Sequence, residues 1–154
     1  MIERERRFLV DRIPDVVGDG DHIVQGYLMT EPAAVRVRRR DGECTLTIKT
    51  GDGLVRTEIE RPITDEEFDA LWEVATDLRI EKRRHLVPLP GGFVAELDLF
   101  DGSLTGRRIV EVEFESDDDA AAFEPPDWFG REVTDDGRYT NAALARSGWP
   151  TVVT

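Results

Sequence analysis

With a single cysteine, Cys44, in 154 residues, the chain cannot form an internal disulfide. Zinc sites built on paired cysteines are excluded with it. There are only two histidines, so any bound metal is expected on oxygen ligands. No stretch approaches the ~18 consecutive apolar residues of a membrane span. The opening Met1-Ile2-Glu3-Arg4-Glu5 lacks the apolar run of a secretory signal. These absences fit a reducing compartment, and the chain is expected in the cytoplasm. Basic residues are the minority, 20 against 33 acidic, for a net charge of −13. That balance disfavours a nucleic acid or an anionic membrane as partner. It says little about a small enclosed site, where local charge decides.

Hydrophobic residues make up 40% and recur throughout, which suits one domain over residues 1–154 with its own core. Short alternating runs predict strands at 2–10, 23–30, 34–40, 43–49, 54–61, 80–87, 93–100 and 107–115. Turn chemistry separates several of them: Asp41-Gly42, Gly51-Asp52-Gly53 and Pro90-Gly91-Gly92. Thr64-Asp65-Glu66-Glu67 is a capping box, and Phe68, Leu71, Trp72, Ala75 and Leu78 follow at helical spacing. A second helix is expected after Ser116, with Asp117, Asp118 and Asp119 at its positive end and Pro125-Pro126 as its stop. A third runs from Asn141 to Arg146 and ends at Gly148. Many strands and few helices give an α+β domain dominated by an antiparallel sheet.

The strands carry an unusual burden. Charges sit at i, i+2 spacing and so share one face. They are Glu3, Glu5 and Arg7; Arg36 and Arg38; Lys49; Arg56, Glu58 and Glu60; Lys82 and Arg84; Glu96 and Asp98; Glu111 and Glu113. One reading is that each charged face is the solvent side of an open sheet. The other closes the sheet into a barrel with these faces inward. A solvent face ordinarily mixes Ser, Thr, Lys and Glu, whereas these faces hold almost only acids and bases. The closed reading gives a lumen of eight acids and seven bases, a net of −1. Adjacent acids at this spacing repel by ~2–3 kcal/mol at an effective dielectric of 20, so divalent cations are expected among them. Two such ions would bring the lumen to +3, and an inorganic triphosphate carries about −4 to −5 near neutral pH. Arg36, Arg38 and Arg84 offer planar forks to phosphate oxygens, and Lys49 and Lys82 act as point charges.

The order of these pairs resembles the CYTH family, also called triphosphate tunnel metalloenzymes. Ile2-Glu3-Arg4-Glu5-Arg6-Arg7 is similar to its ExExK opening, and Gln25-Gly26-Tyr27-Leu28 to its second strand. Val35-Arg36-Val37-Arg38 matches RxR, Thr47-Ile48-Lys49 TxK, and Glu58-Ile59-Glu60 ExE. Lys82-Arg83-Arg84 matches KxR, Glu96-Leu97-Asp98 ExD, and Glu111-Val112-Glu113 a late ExE. Asp127-Trp128-Phe129-Gly130 and Arg138-Tyr139-Thr140-Asn141 extend the likeness to nearly the whole chain.

The resemblance implies an eight-stranded antiparallel tunnel with helices packed outside. It also implies divalent-metal-dependent hydrolysis of a triphosphate compound, inorganic triphosphate first. A class IV-type adenylate cyclase, a thiamine triphosphatase and a non-catalytic polyphosphate or nucleotide-triphosphate binder are the alternatives. By the likeness, Glu3, Glu5, Asp98, Glu111 and Glu113 are the expected ligands of Mg²⁺ or Mn²⁺. Arg7, Arg36, Arg38, Lys49, Arg56, Lys82 and Arg84 are expected on the substrate. Glu5, Arg7, Tyr27 and Glu111 are expected in catalysis, with Glu58, Glu60 and Glu96 in support. The expected partner is a small molecule, and the chain is expected as a monomer or homodimer. One departure stands out: the signature lysine is Arg7 here, and an arginine cannot act as a base. Tyr27 is either a tunnel-facing hydroxyl or an ordinary strand aromatic. His22 and His85 receive no ligand role, and Cys44 reads as a small packing residue.

Overall fold

In the computed structural model, which describes residues 1–51 and 53–151, the predicted strands are present within one or two residues of the expected ends. They are β1 Ile2–Val10, β2 Asp21–Met29, β3 Ala34–Arg40, β4 Glu43–Thr50, β5 Val55–Pro62, β6 Arg79–Pro88, β7 Val94–Phe100 and β8 Arg108–Glu113. All pairings are antiparallel, in the order β5-β4-β3-β2-β6-β7-β8-β1. The first strand then returns to the fifth through Ile2↔Thr57, Glu3↔Arg56 and Arg4↔Val55, and the sheet closes into an eight-stranded barrel. Asp52 of the expected turn, and residues 152–154 of the expected domain, lie outside the described residues.

A further strand, β9 Phe129–Glu132, pairs with β1 at Phe8↔Glu132 and Val10↔Phe129. Nine residues make β1 longer than its partner β5 can cover, and β9 takes the remaining edge. The Phe129-Gly130-Arg131-Glu132 run has no apolar alternation, so nothing in its pattern announces a strand.

Three helices are present as expected: α1 Asp65–Val74, α2 Asp117–Ala122 and α3 Asn141–Ser147. Each starts on a side-chain cap. Thr64 and Glu67 bond each other's backbone at 3.1 and 2.9 Å, Ser116 accepts from Asp119 N at 3.1 Å, and Thr140 accepts from Ala143 N at 3.1 Å. No helix among the described residues is long and apolar enough to cross a membrane.

Because the inward faces are charged, most of the apolar core lies outside the barrel wall. Phe8, Leu97, Val110 and Val112 pack outward beneath α2, Phe123, Trp128 and Phe129. Val37, Cys44 and Phe68 form a second cluster, where α1 lies on β2, β3 and β4. Full burial of a side chain such as Phe68 contributes about 2–3 kcal/mol. A third cluster joins Leu144 of α3 to Tyr27, Ile80, Phe100 and Ile109, and so gives part of the interior an apolar floor. Helix α1 comes close only because position 26 has no side chain. A Cβ there would lie 2.8 Å from that of Ala75 and 3.2 Å from the Trp72 ring. The Gly26→Ala variant is therefore expected to lose about 1–3 kcal/mol of stability in urea denaturation, with no change in activity per folded molecule. An unchanged midpoint would contradict this packing.

Candidate active site

Pleat alternation carries the predicted faces inward. Glu3, Glu5, Arg7, Tyr27, Arg36, Arg38, Lys49, Arg56, Glu58, Glu60, Arg84, Glu96, Glu111 and Glu113 all line one cavity of about 610 Å³. Tyr27 is thus a cavity hydroxyl, not an outward strand aromatic. Lys82 and Asp98 are the two expected residues that do not reach the wall. Both are fully buried and joined Nζ to Oδ2 at 2.7 Å, with the Lys82 ammonium 5.7 Å from the centre of the Phe100 ring. They share the inward face, but they sit where the lumen passes from charged to apolar. Arg84 reaches Asp98 through two N–H groups at 2.8 and 3.0 Å, and Glu96 at 2.9 Å. Asp98 is therefore matched by two cations. Removing either partner of such a buried pair costs about 3–5 kcal/mol.

Next to this closed cluster lies an acidic wall. Carboxylate oxygens of Glu3, Glu5 and Glu113 approach within 4.8 Å of one another. Lys49 Nζ stands 3.2 Å from Glu3, and Arg56 Nη2 stands 3.3 Å from Glu5. Arg7 lies between Glu5 and Glu111 at 3.1 and 3.3 Å. Burial, together with Glu111 beside it, pushes the Glu5 carboxyl well above its usual range. Burial alone would raise Glu111 as well, but Arg7, its bond with Glu5, Arg84 and Lys82 hold it well below. Burial and a bond to Glu3 push Glu58 up to about 7, and burial with Glu96 and Glu3 nearby does the same to Glu113. Glu60 accepts a hydrogen bond from Thr47 at 3.0 Å.

The basic wall is arranged differently. Arg36 is 7% exposed, has no ion pair among the described residues, and keeps its Nε without a hydrogen bond. Arg38 donates Nε to the amide oxygen of Gln25 at 2.9 Å and likewise meets no carboxylate among the described residues. Burial, with Arg36 and Arg84 close by, pushes its pKa below the ordinary guanidinium range. Arg40, two residues on, also faces the cavity but is held by Asp21 at 2.7 Å.

Some contributors were not singled out from sequence. Arg40 continues the period of Arg36 and Arg38 and was available from spacing alone. Arg146 of α3 lines the cavity and contacts Glu31 at 3.3 Å; nothing in a helical pattern marks it. Gln25 and Asn141 are neutral and buried, so a search for charge pairs passes over them.

A family model described as the CYTH domain matches residues 1–136. An inorganic triphosphatase of Nitrosomonas europaea is 45% identical over 149 residues, 96% of this chain and 99% of that protein. An inorganic triphosphatase of Acetivibrio thermocellus is 38% identical over 126 residues, 80% of this chain and 79% of that one. The crystal structure of the inorganic triphosphatase NE1496 matches with a TM-score of 0.72 at 42% identity, over 96% of this chain and 99% of the other. Barrel, charged interior and sequence agree, and the chain belongs to the CYTH family.

Proposed function

We propose that this chain hydrolyses inorganic triphosphate to diphosphate and phosphate in the cytoplasm, with Mg²⁺ or Mn²⁺ as cofactor. One observation carries the reading: a single cavity sets three converging carboxylates against two guanidinium groups that meet no carboxylate among the described residues. The names of the two relatives support the choice of substrate.

The acidic wall fits a hard cation. Its oxygens converge, and no His or Cys among the described residues lines the cavity. Glu3, Glu5 and Glu113 would hold the ion. When bound, it neutralises phosphate charge and lowers the pKa of coordinated water. Arg36 and Arg38 take phosphate oxygens through their planar forks and stabilise charge as the bridging bond loosens. Lys49 and Arg56, paired to Glu3 and Glu5, link the two walls. Arg7 has only donors, so it cannot take the proton of the attacking water; it holds Glu5 and Glu111 in place. A cyclase or thiamine triphosphatase needs a surface for an aromatic ring. Among the described lining residues only Tyr27 and Phe114 are aromatic.

Phosphate release from tripolyphosphate, thiamine triphosphate and ATP, with Mg²⁺ or Mn²⁺, tests the reading. Tripolyphosphate is expected to be the preferred substrate; binding of all three without release would overturn it. Glu5→Gln is expected to lower turnover at least about 100-fold while the melting temperature holds, because burial and Glu111 already hold that carboxyl toward its neutral form. Unchanged hydrolysis would remove Glu5 from the mechanism.

The acidic wall also sets a pH dependence. Glu58 and Glu113 titrate near 7 in the folded protein, against about 4.3 in an unfolded chain. Folding is favoured while both keep their protons, and that contribution is lost as pH rises through about 7. The melting temperature of EDTA-treated protein is expected to fall between about pH 5 and 8, and Mg²⁺ to restore more of it at pH 8 than at pH 5. A rise across that window in EDTA would contradict the assignment.

A further inference from the structure

Nearly every inward cation of the barrel is matched to a carboxylate. Arg7 meets Glu5 and Glu111, Lys49 meets Glu3, Arg56 meets Glu5, Arg40 meets Asp21, and Lys82 and Arg84 meet Asp98. Arg38 is anchored differently, by the side-chain amide of Gln25. That residue is fully buried on β2, directly opposite Arg38 in register. Its oxygen accepts from Arg38 Nε at 2.9 Å. Its nitrogen donates to the Tyr27 hydroxyl at 3.1 Å and to Asn141 Oδ1 at 3.3 Å. The same Asn141 oxygen accepts from Lys82 Nζ at 2.9 Å.

This network leaves the amide one orientation. A guanidinium has only donors, so the amide oxygen must face Arg38. The nitrogen then faces two oxygen acceptors. A carboxylate of the same shape would hold Arg38 equally well, but it would cancel the charge and offer no proton to Tyr27 or Asn141. A neutral acceptor fixes where the guanidinium points and leaves its charge available.

We infer that Gln25 is a positioning residue, which aims the Arg38 guanidinium and the Tyr27 hydroxyl at the triphosphate while leaving the Arg38 charge uncancelled. The inference rests on the reading of the cavity as a triphosphate site. Crowding supports it: Arg36 and Arg84 bear on Arg38, and a polyanion relieves that repulsion.

Gln25→Glu separates aiming from charge, since the variant keeps an acceptor for Arg38 and adds a negative charge. Its KM for tripolyphosphate with Mg²⁺ is expected to rise at least about tenfold in the folded protein, with a smaller change in kcat. Gln25→Met keeps the volume and removes the hydrogen bonds. It is expected to lower kcat/KM at least about fivefold in the folded protein. A purely structural role would lower the melting temperature and leave both constants of the folded enzyme in place. Either variant, folded and within about twofold of wild type in KM and kcat, overturns the inference. Calorimetric titration of EDTA-treated protein with tripolyphosphate keeps this test apart from the hydrolase reading. Weaker binding by Gln25→Glu supports the positioning role even if wild type releases no phosphate, whereas equal binding overturns it even if wild type is fully active.

Discussion

Like charges confined to a small interior govern this molecule. Acids two residues apart on a strand repel by ~2–3 kcal/mol at an effective dielectric of 20, and burial adds to the cost of each. The cavity shows both effects: Glu5, Glu58 and Glu113 are pushed toward their neutral forms, and Arg38 loses part of its hold on a proton. Some of the repulsion is relieved internally, as where Asp98 takes both Lys82 and Arg84. The rest lies on two facing walls, and a cation paired with a polyanion relieves both together.

A lumen of this kind cannot serve as the main core, so the fold builds much of its stability outside the wall. One apolar cluster lies beneath α2 and the Phe123–Phe129 segment, and another beneath α1. A third, beneath α3, gives the interior a partial apolar floor. Barrel closure through β1 and β5 leaves the inner side chains free to be chosen for chemistry. The same strands do both jobs. In β1, Glu5 and Arg7 face the cavity, while Phe8 and Val10 pack outward.

Strand positions and the direction of most side chains were legible in the sequence because a period of two fixes the face of every residue once one is known. The starts of the first two helices were legible because Thr64 and Ser116 are caps with a local mechanism. Depth along the barrel axis was not legible. Lys82 and Arg84 share a face, yet Arg84 lines the cavity and Lys82 lies buried beside the Phe100 ring. Strand β9 escaped notice because four residues without alternation carry no period. Gln25 and Asn141 escaped because neutral side chains show no sign in a charge pattern, although they set the geometry of charged neighbours.

The central claim is that the two walls bind opposite partners in one cavity. A crystal structure of the protein with tripolyphosphate and Mn²⁺, with the metal located by its anomalous signal, tests it most directly. The account expects the ion among Glu3, Glu5 and Glu113 and phosphate oxygens on Arg36 and Arg38. An ion held elsewhere, or a polyphosphate bound only on the outer surface, would contradict it.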